Sequence, residues 1–550
     1  MLQVDRELLE KTFYRLVATP GISGTRDENK STDEIKACFK EMPYFKEHPN
    51  HLKAFPIPND GFGREVVTAL VKGDGSSNKT IVMIGHSDVV DAQDYGLNED
   101  VAFEPKTLMN RMKNMAMNPD AKKDFDSKEW IFGRGVMDMR CGVVVAMMML
   151  EAAGRNPSEL KGNLLFVAVP DEENNSLGMI SATKNLVELA ETHDLDYIVC
   201  IDGEPQFPNY PGDPKKYVYQ GTLGKFVLMA YAVGKETHGG DSLTGLNANL
   251  IISELTRRIE LNMDLADVFE DVVVSPPTSL KQTDTKLHYN VKTPESAYAY
   301  YNFLTADQSP KFFFDKVQDL AMEAMTDSLE IQRKQTQRYF DMTGKEGSFY
   351  DWSPTVLSYS ELLHAASEHG GEAFQEHMAA CREEWKKQPE MDQRILALKM
   401  VQEIHGFYPD KNPKIVLLYV PPYYPHIKPT TATPGKALAS EVVEKVAKYA
   451  KTTFNEDVGV EKFFTGLCDL SFVCLQNAED VITNIQPNMP NWGFSYGLPV
   501  ETIKKLDLPV MNIGPYGKDA HKNTERLHED YSFRVYPTLL AYAIDELFKG

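Results

Sequence analysis

LLFVAVPDEENNS, residues 164–176, runs from an unbroken apolar segment straight into three consecutive carboxylates, Asp171, Glu172 and Glu173. The apolar part has strand length and no alternation, the pattern of a strand covered on both faces. Like charges at such a strand end are poorly solvated, and each raises its neighbour's pKa unless a cation neutralises them. The stretch therefore predicts a sheet wrapped by helices, with something positive at its edge.

The same arrangement recurs along the chain. Ile81–Ile84 leads into GHSD, with His86 and Asp88; Tyr197–Ile201 leads into DGEP, with Asp202 and Glu204; Val510–Ile513 leads into GPYGKDAH, with Asp519 and His521. Helix-like stretches such as Cys141–Ala153 and Ser181–Thr192 lie between these runs. Alternating strands and helices of this kind predict an α/β fold, a three-layer domain with a mostly parallel sheet. In open sheets of that class ligands sit beyond the carboxyl ends of the strands, so these polar clusters converge on one crevice. FGRGVMDMRCGVVVAMMML, residues 132–150, adds Asp138 just before a buried helix, where glycines let the backbone pass close by.

Two imidazoles and several carboxylates, with no cysteine among them, suit divalent ions such as zinc, cobalt or manganese. Asp138 placed between two ions would offset the repulsion in the opening stretch. Each cluster alone is as often a cap or loop feature as a site. Their joint occurrence at successive strand ends is what carries the reading.

With 550 residues the chain exceeds the size at which one core keeps growing, so more than one domain is expected. A hydrophobic fraction of 42% and a charged fraction of 25% match an ordinary globular protein. The formal net charge of −22 argues against nucleic acid as a partner. Six cysteines without CxxC pairs fit reduced thiols in a cytoplasmic protein better than a disulfide framework. No uncharged run reaches the ~18 residues of a spanning helix, so no membrane partner is expected. Asp5 can cap an opening helix that shares Leu9, Phe13, Leu16 and Val17 on one face.

The texture changes near residue 215. YVYQGTLGKFVLMAYAVGK reads as a strand pair, GLNANLIISELTRRIEL as a helix and TDTKLHYNVKT as another strand, the parts of a smaller α+β unit. Residues of about 311–412 read as a charged helical insertion, after which KIVLLYVPPYY returns to strand and ALASEVVEKVAKYAKTTF to helix. The expected organisation is a catalytic domain from residues 1–214 and 429–550, with a lid domain from 215–428 inserted in it.

GHSD, GRGVMDMRCG, PDEENNSLG, DGEP and GKDAH resemble the ligand motifs of the dinuclear zinc amidohydrolases that include aminoacylase, succinyl-diaminopimelate desuccinylase and carboxypeptidase G. The resemblance spans nearly the whole chain, and YVYQGTLGK and FFTGLCDLSF are most similar to the arginine-utilisation branch. It implies a catalytic domain with an inserted lid that forms a homodimer. It also implies two divalent ions, with His86 and Glu204 on one, Glu173 and His521 on the other, and Asp138 bridging. Asp202, two residues from Glu204, is the alternative ligand; the E-P pair favours Glu204. Glu172 becomes the general base, and Asp88 orients His86.

By the same resemblance His238 reaches a substrate carbonyl in the neighbouring subunit, and Asn247 and Asp469 contact substrate. Arg140 stands where the family has lysine, Asn175 where it has glycine, and no proline follows His238 at the usual spacing. The expected function is metal-dependent hydrolysis of a peptide-like or N-acyl amide of a small amino-acid-derived substrate, in arginine utilisation. The alternatives are a catalytically silent scaffold on the same fold and a two-metal phosphoesterase. The second has neither a glycine-rich phosphate cradle nor a basic cluster near the ligands to support it.

Overall fold

A computed structural model describes residues 2–113, 115–210 and 212–550. The strands of its two main sheets, in chain order, are β1 Leu52–Pro56, β2 Glu65–Val71, β3 Lys79–His86, β4 Asn163–Val169, β5 Asp196–Asp202, β6 Lys216–Tyr219, β7 Gly224–Val233, β8 Thr278–Asp284, β9 Ser296–Thr305, β10 Val356–Ser358, β11 Lys414–Tyr424, β12 Val458–Glu461 and β13 Val510–Asn512. The chain divides into two compact units: Met1–Leu223, His426–Gln476 and Leu498–Gly550 form the first, Gly224–Pro425 and Asn477–Gly497 the second.

The first unit is built on an eight-stranded sheet of order β1-β2-β4-β3-β5-β13-β6-β12. Its centre, β4-β3-β5-β13, is parallel, and β1 and β2 form an antiparallel edge. Ile81 and Met83 of β3 join a core cluster that includes Val143, Met147 and Leu150 of helix Cys141–Arg155. The alternate residues Val82 and Ile84 are equally buried, so both faces of the strand are covered. That is why these runs lack alternation. The opening helix, Arg6–Val17, begins as its sequence predicts: Asp5 accepts the amide N–H of Leu8, and Leu9, Phe13, Leu16 and Val17 are buried.

The second unit carries a five-stranded sheet of order β8-β9-β7-β11-β10. Phe226 of β7 stacks on Phe303 of β9 with centroids 4.8 Å apart and planes 8° from parallel. Helices Pro310–Thr343, Tyr359–Lys386 and Gln393–Phe407 lie in the span of about 311–412, with strand β10 between the first two. Ser358 and Glu361 form a reciprocal capping box at the start of the second, and Gly371, at φ 53°, breaks its helical path.

The strand readings need two corrections, and the outline of the units differs from the expected one at residues 477–497. Of the pair expected in YVYQGTLGKFVL, β6 pairs with β12 and β13 in the large sheet, and only β7 enters the second unit. TDTKLHYNVKT contributes no more than the last residues of β8; its remainder lies outside strands, and the strand that follows is β9, SAYAYYNFLT. Residues 477–497 belong to the second unit, where Asn484 donates to Tyr419 Oη at 2.6 Å and the Tyr423 amide donates to Tyr496 Oη at 3.0 Å. Among the described residues no helix is long and apolar enough to cross a membrane.

Candidate metal centre

The carboxyl ends of the parallel strands gather the predicted side chains within the first unit. His86 ends β3, Asp171, Glu172 and Glu173 follow β4, and Glu204 follows β5. His521 lies beyond β13 at a left-handed φ of 62°. Asp138 occupies the turn Val136–Arg140 before helix Cys141–Arg155, and its peptide bond to Met139 is cis.

Asp138 lies between the two imidazoles. Its Oδ1 is 3.1 Å from His86 Nε2 and its Oδ2 3.2 Å from His521 Nε2. Glu204 Oε1 stands 3.5 Å from His86 Nε2, and Glu173 Oε2 stands 3.1 Å from His521 Nε2. Donor atoms of His86, Asp138 and Glu173 fall within 4.8 Å of one another, as do those of His86, Glu172 and Glu204. Asp202 belongs to neither group.

Small residues make this approach feasible. A Cβ on Gly142 would sit 2.2 Å from the Gly203 carbonyl oxygen, and one on Gly514 would sit 1.9 Å from that of Glu204. Only glycine lets these backbones pack so closely. Asn512 Nδ2 also donates to the Glu204 carbonyl, at 3.1 Å, fixing the segment that presents the carboxylate.

Asp88 holds a different set of partners from the one expected. His86 Nδ1 donates to the Asp88 carbonyl at 3.0 Å, while the Asp88 carboxylate is 3.6 Å away. A carbonyl only accepts, so Nδ1 carries a proton and Nε2 is the ring atom that faces Asp138 and Glu204. The carboxylate instead accepts the amide N–H groups of Glu172 at 3.2 Å and Glu173 at 3.1 Å. It fixes the backbone of the carboxylate-bearing turn.

The opening triplet is not one charge cluster. Asp171 accepts from Arg64 Nη1 at 2.6 Å and from the Leu177 amide at 3.1 Å. The same guanidinium reaches Glu28 at 2.8 Å and Asp60 at 2.9 Å. One of the three carboxylates is thus neutralised by a cation already in the sequence. Arg64 carried no motif signal, because it sits alone before β2. Arg134, inside GRGVMDMRCG, was passed over because its partner is distant in sequence: it pairs with buried Glu525 at 2.8 Å, and Glu525 accepts the Met137 amide at 3.3 Å, one residue before Asp138.

Glu172 and Glu173 are left facing the imidazoles. Burial pushes the Glu172 carboxyl well above the usual range, with Asp469, Glu173 and Asp88 adding to the rise and His86 opposing it. Burial and then Asp138 raise Glu204 likewise. Burial would lower His86, but Asp138, Glu204, Glu172 and Asp88 together raise it well above its ordinary value. Burial also acts to lower His521, and the Asp138 and Glu173 carboxylates carry it up to about 11. The pocket holds more negative charge than its imidazoles balance. Nitrogen and oxygen donors, 3.1–3.5 Å apart around a shared carboxylate, fit divalent cations, whose ligands lie about 2.0–2.2 Å from the ion.

The remaining candidates have separate surroundings. Asp469 lies in the buried turn Asp469–Phe472, 2% exposed; burial and then Asp202 push its carboxyl well up. Asn247 caps helix Ala248–Ile259 by accepting the Asn249 amide. His238 accepts the Gly240 amide through Nδ1 at 3.1 Å in an exposed turn. Both belong to the second unit.

Residues 83–532 match peptidase family M20/M25/M40. The chain belongs to that family. This M20 chain is 32% identical to protein RocB of Bacillus subtilis over 97% of its own length and 94% of that protein. It is 35% identical to the uncharacterized protein YqjN of the same organism, over 100% of this chain and 97% of the other. A tripeptidase of Staphylococcus aureus superposes with a TM-score of 0.54 at 13% identity, covering 100% of both chains, which establishes the shared fold. As an M20 member the protein is a metal-dependent hydrolase of amide or peptide bonds.

Proposed function

We propose that the enzyme hydrolyses a peptide-like or N-acyl amide bond of a small amino-acid-derived substrate, in arginine utilisation, at a two-ion centre. The observation that carries this reading is the Asp138 carboxylate, which offers one oxygen toward His86 and the other toward His521. His86 and Glu204 are assigned to one ion, Glu173 and His521 to the second, and Asp138 to both. Zinc is the assigned metal, with cobalt and manganese accepted by the same donors.

When bound, the ions polarise the amide carbonyl and make water acidic enough to attack it near neutrality. Glu172 is assigned the proton transfer. Its carboxyl lies within 4.8 Å of the donor atoms of His86 and Glu204, where it can accept a proton from water and return it to the departing nitrogen. Asp88 holds the Glu172 and Glu173 amides, so the base and a ligand keep a fixed spacing.

The catalytic role is assigned to the first unit and the lid role to the second. The working form is assigned as a cytoplasmic homodimer joined through the lid, in which His238 of one subunit donates to the substrate oxyanion in the other and Asn247 contacts substrate. Asp469, buried beside Asp202, is assigned to the pocket wall.

The test replaces Glu172 with Gln. Turnover of a panel of N-acyl amino acids and dipeptides, arginine derivatives included, should fall at least ~10²-fold, while bound metal stays at the wild-type level. Undiminished turnover overturns the base assignment.

A further inference from the structure

A second group of metal-binding side chains lies in the second unit, away from every motif discussed above. His377 and Cys381 are one turn apart on helix Tyr359–Lys386, after the break at Gly371, and so share a face. Glu403 comes from the neighbouring helix Gln393–Phe407. His377 Nε2 is 2.7 Å from Glu403 Oε2 and 3.4 Å from Cys381 Sγ, and the donor atoms of all three fall within 4.8 Å of one another.

The geometry points to a structural divalent-ion site, of the zinc type, formed by His377, Cys381 and Glu403 and clamping these two helices together. Donors around a tetrahedral zinc stand about 3.3–3.8 Å apart, given bond lengths of about 2.0–2.3 Å. The Cys381–His377 separation already matches, and Glu403 needs only a small outward rotation. All three residues are partly exposed, so an ion can enter and water can complete the coordination. The His377–Glu403 pair alone bridges the two helices, and the thiol beside it supplies the soft donor that favours zinc.

Burial and then the Glu403 charge raise the Cys381 thiol, so without an ion the sulfur keeps its proton. Binding transfers that proton to solvent and gives the sulfur lone pair to the ion. No oxidation is involved.

Cobalt(II) separates this site from the catalytic one. The donors assigned to the catalytic centre include no sulfur, and Cys38, Cys141, Cys200, Cys468 and Cys474 are all buried. Metal-free full-length protein titrated with cobalt until all its sites are filled should develop a thiolate-to-cobalt charge-transfer band with the intensity of one thiolate-bound ion per chain. The band should vanish in Cys381→Ser, weaken in His377→Ala and Glu403→Gln, and persist in His521→Ala, which alters the catalytic centre alone. Absence of the band in wild type, or its survival in Cys381→Ser, overturns the proposal without touching the hydrolase reading.

Discussion

The Asp88 carboxylate accepts the amide N–H of Glu173 at 3.1 Å, with one oxygen left for the Glu172 amide. An asparagine there keeps the shape but replaces one acceptor with a donor, setting N–H against N–H. Asp88→Asn should therefore weaken metal retention or kcat/KM by about 10–100-fold. Metal content after dialysis and steady-state rates check this; wild-type values for both would show that the turn is held by other contacts.

The Arg64 guanidinium contacts the buried carboxyl groups of Glu28, Asp60 and Asp171 at once. Arg64→Leu strands those carboxylates and should cost about 3–5 kcal/mol in denaturant unfolding. Arg64→Lys, which keeps the charge but loses the forked geometry, should recover part of that loss.

Gly514 leaves no room for a methyl group, since its Cβ would lie 1.9 Å from the Glu204 carbonyl oxygen. Gly514→Ala must push aside the segment that carries Glu204. The expected result is loss of at least one ion per chain together with lowered thermal stability, measured by elemental analysis and calorimetry.

Chelation should abolish turnover, and zinc should restore it. Each ion held at a hundredfold excess over its Kd contributes about 2.7 kcal/mol to folding, so the stripped protein should also melt several degrees lower. A melting curve unchanged by chelation would argue against bound ions.

His51 is held near pKa 4, below its ordinary value, by burial first and then by His48, His193 and Lys72. The folded state thus prefers the neutral ring. The resulting stability is fully present above pH 6.5 and is lost as pH falls through about 4. Allowing for its partial exposure, the loss should be on the order of 1–2 kcal/mol. His51→Gln should flatten the unfolding free energy across that window.

Much of the first unit was legible because β3, β4, β5 and β13 are buried on both faces and so read as solid apolar runs. The polar residues after them had to share a sheet end; the choice of His86, Asp138, Glu173, Glu204 and His521 among them rested on the resemblance to the family's ligand motifs. What stayed hidden depends on partners far away in sequence. Nothing around Arg64 announces that it meets Asp171, 107 residues on. β9 escaped notice because its alanines and Asn302 dilute the strand signal of Tyr298, Tyr300, Tyr301 and Phe303, and its pairing with β7 completes the strand. His377, Cys381 and Glu403 form no recognisable motif, since Glu403 joins the other two only when the helices pack.

The excursion of residues 477–497 into the second unit means the polypeptide passes between the two units four times, at 223/224, 425/426, 476/477 and 497/498. No single cut can free an intact half. A fragment of 224–425 would lack Asn484 and Tyr496, leaving the hydroxyl of Tyr419 and the amide of Tyr423 without their partners. Any attempt to dissect this enzyme into separately expressed pieces must therefore splice in the short returning stretch, or both products will be incompletely assembled.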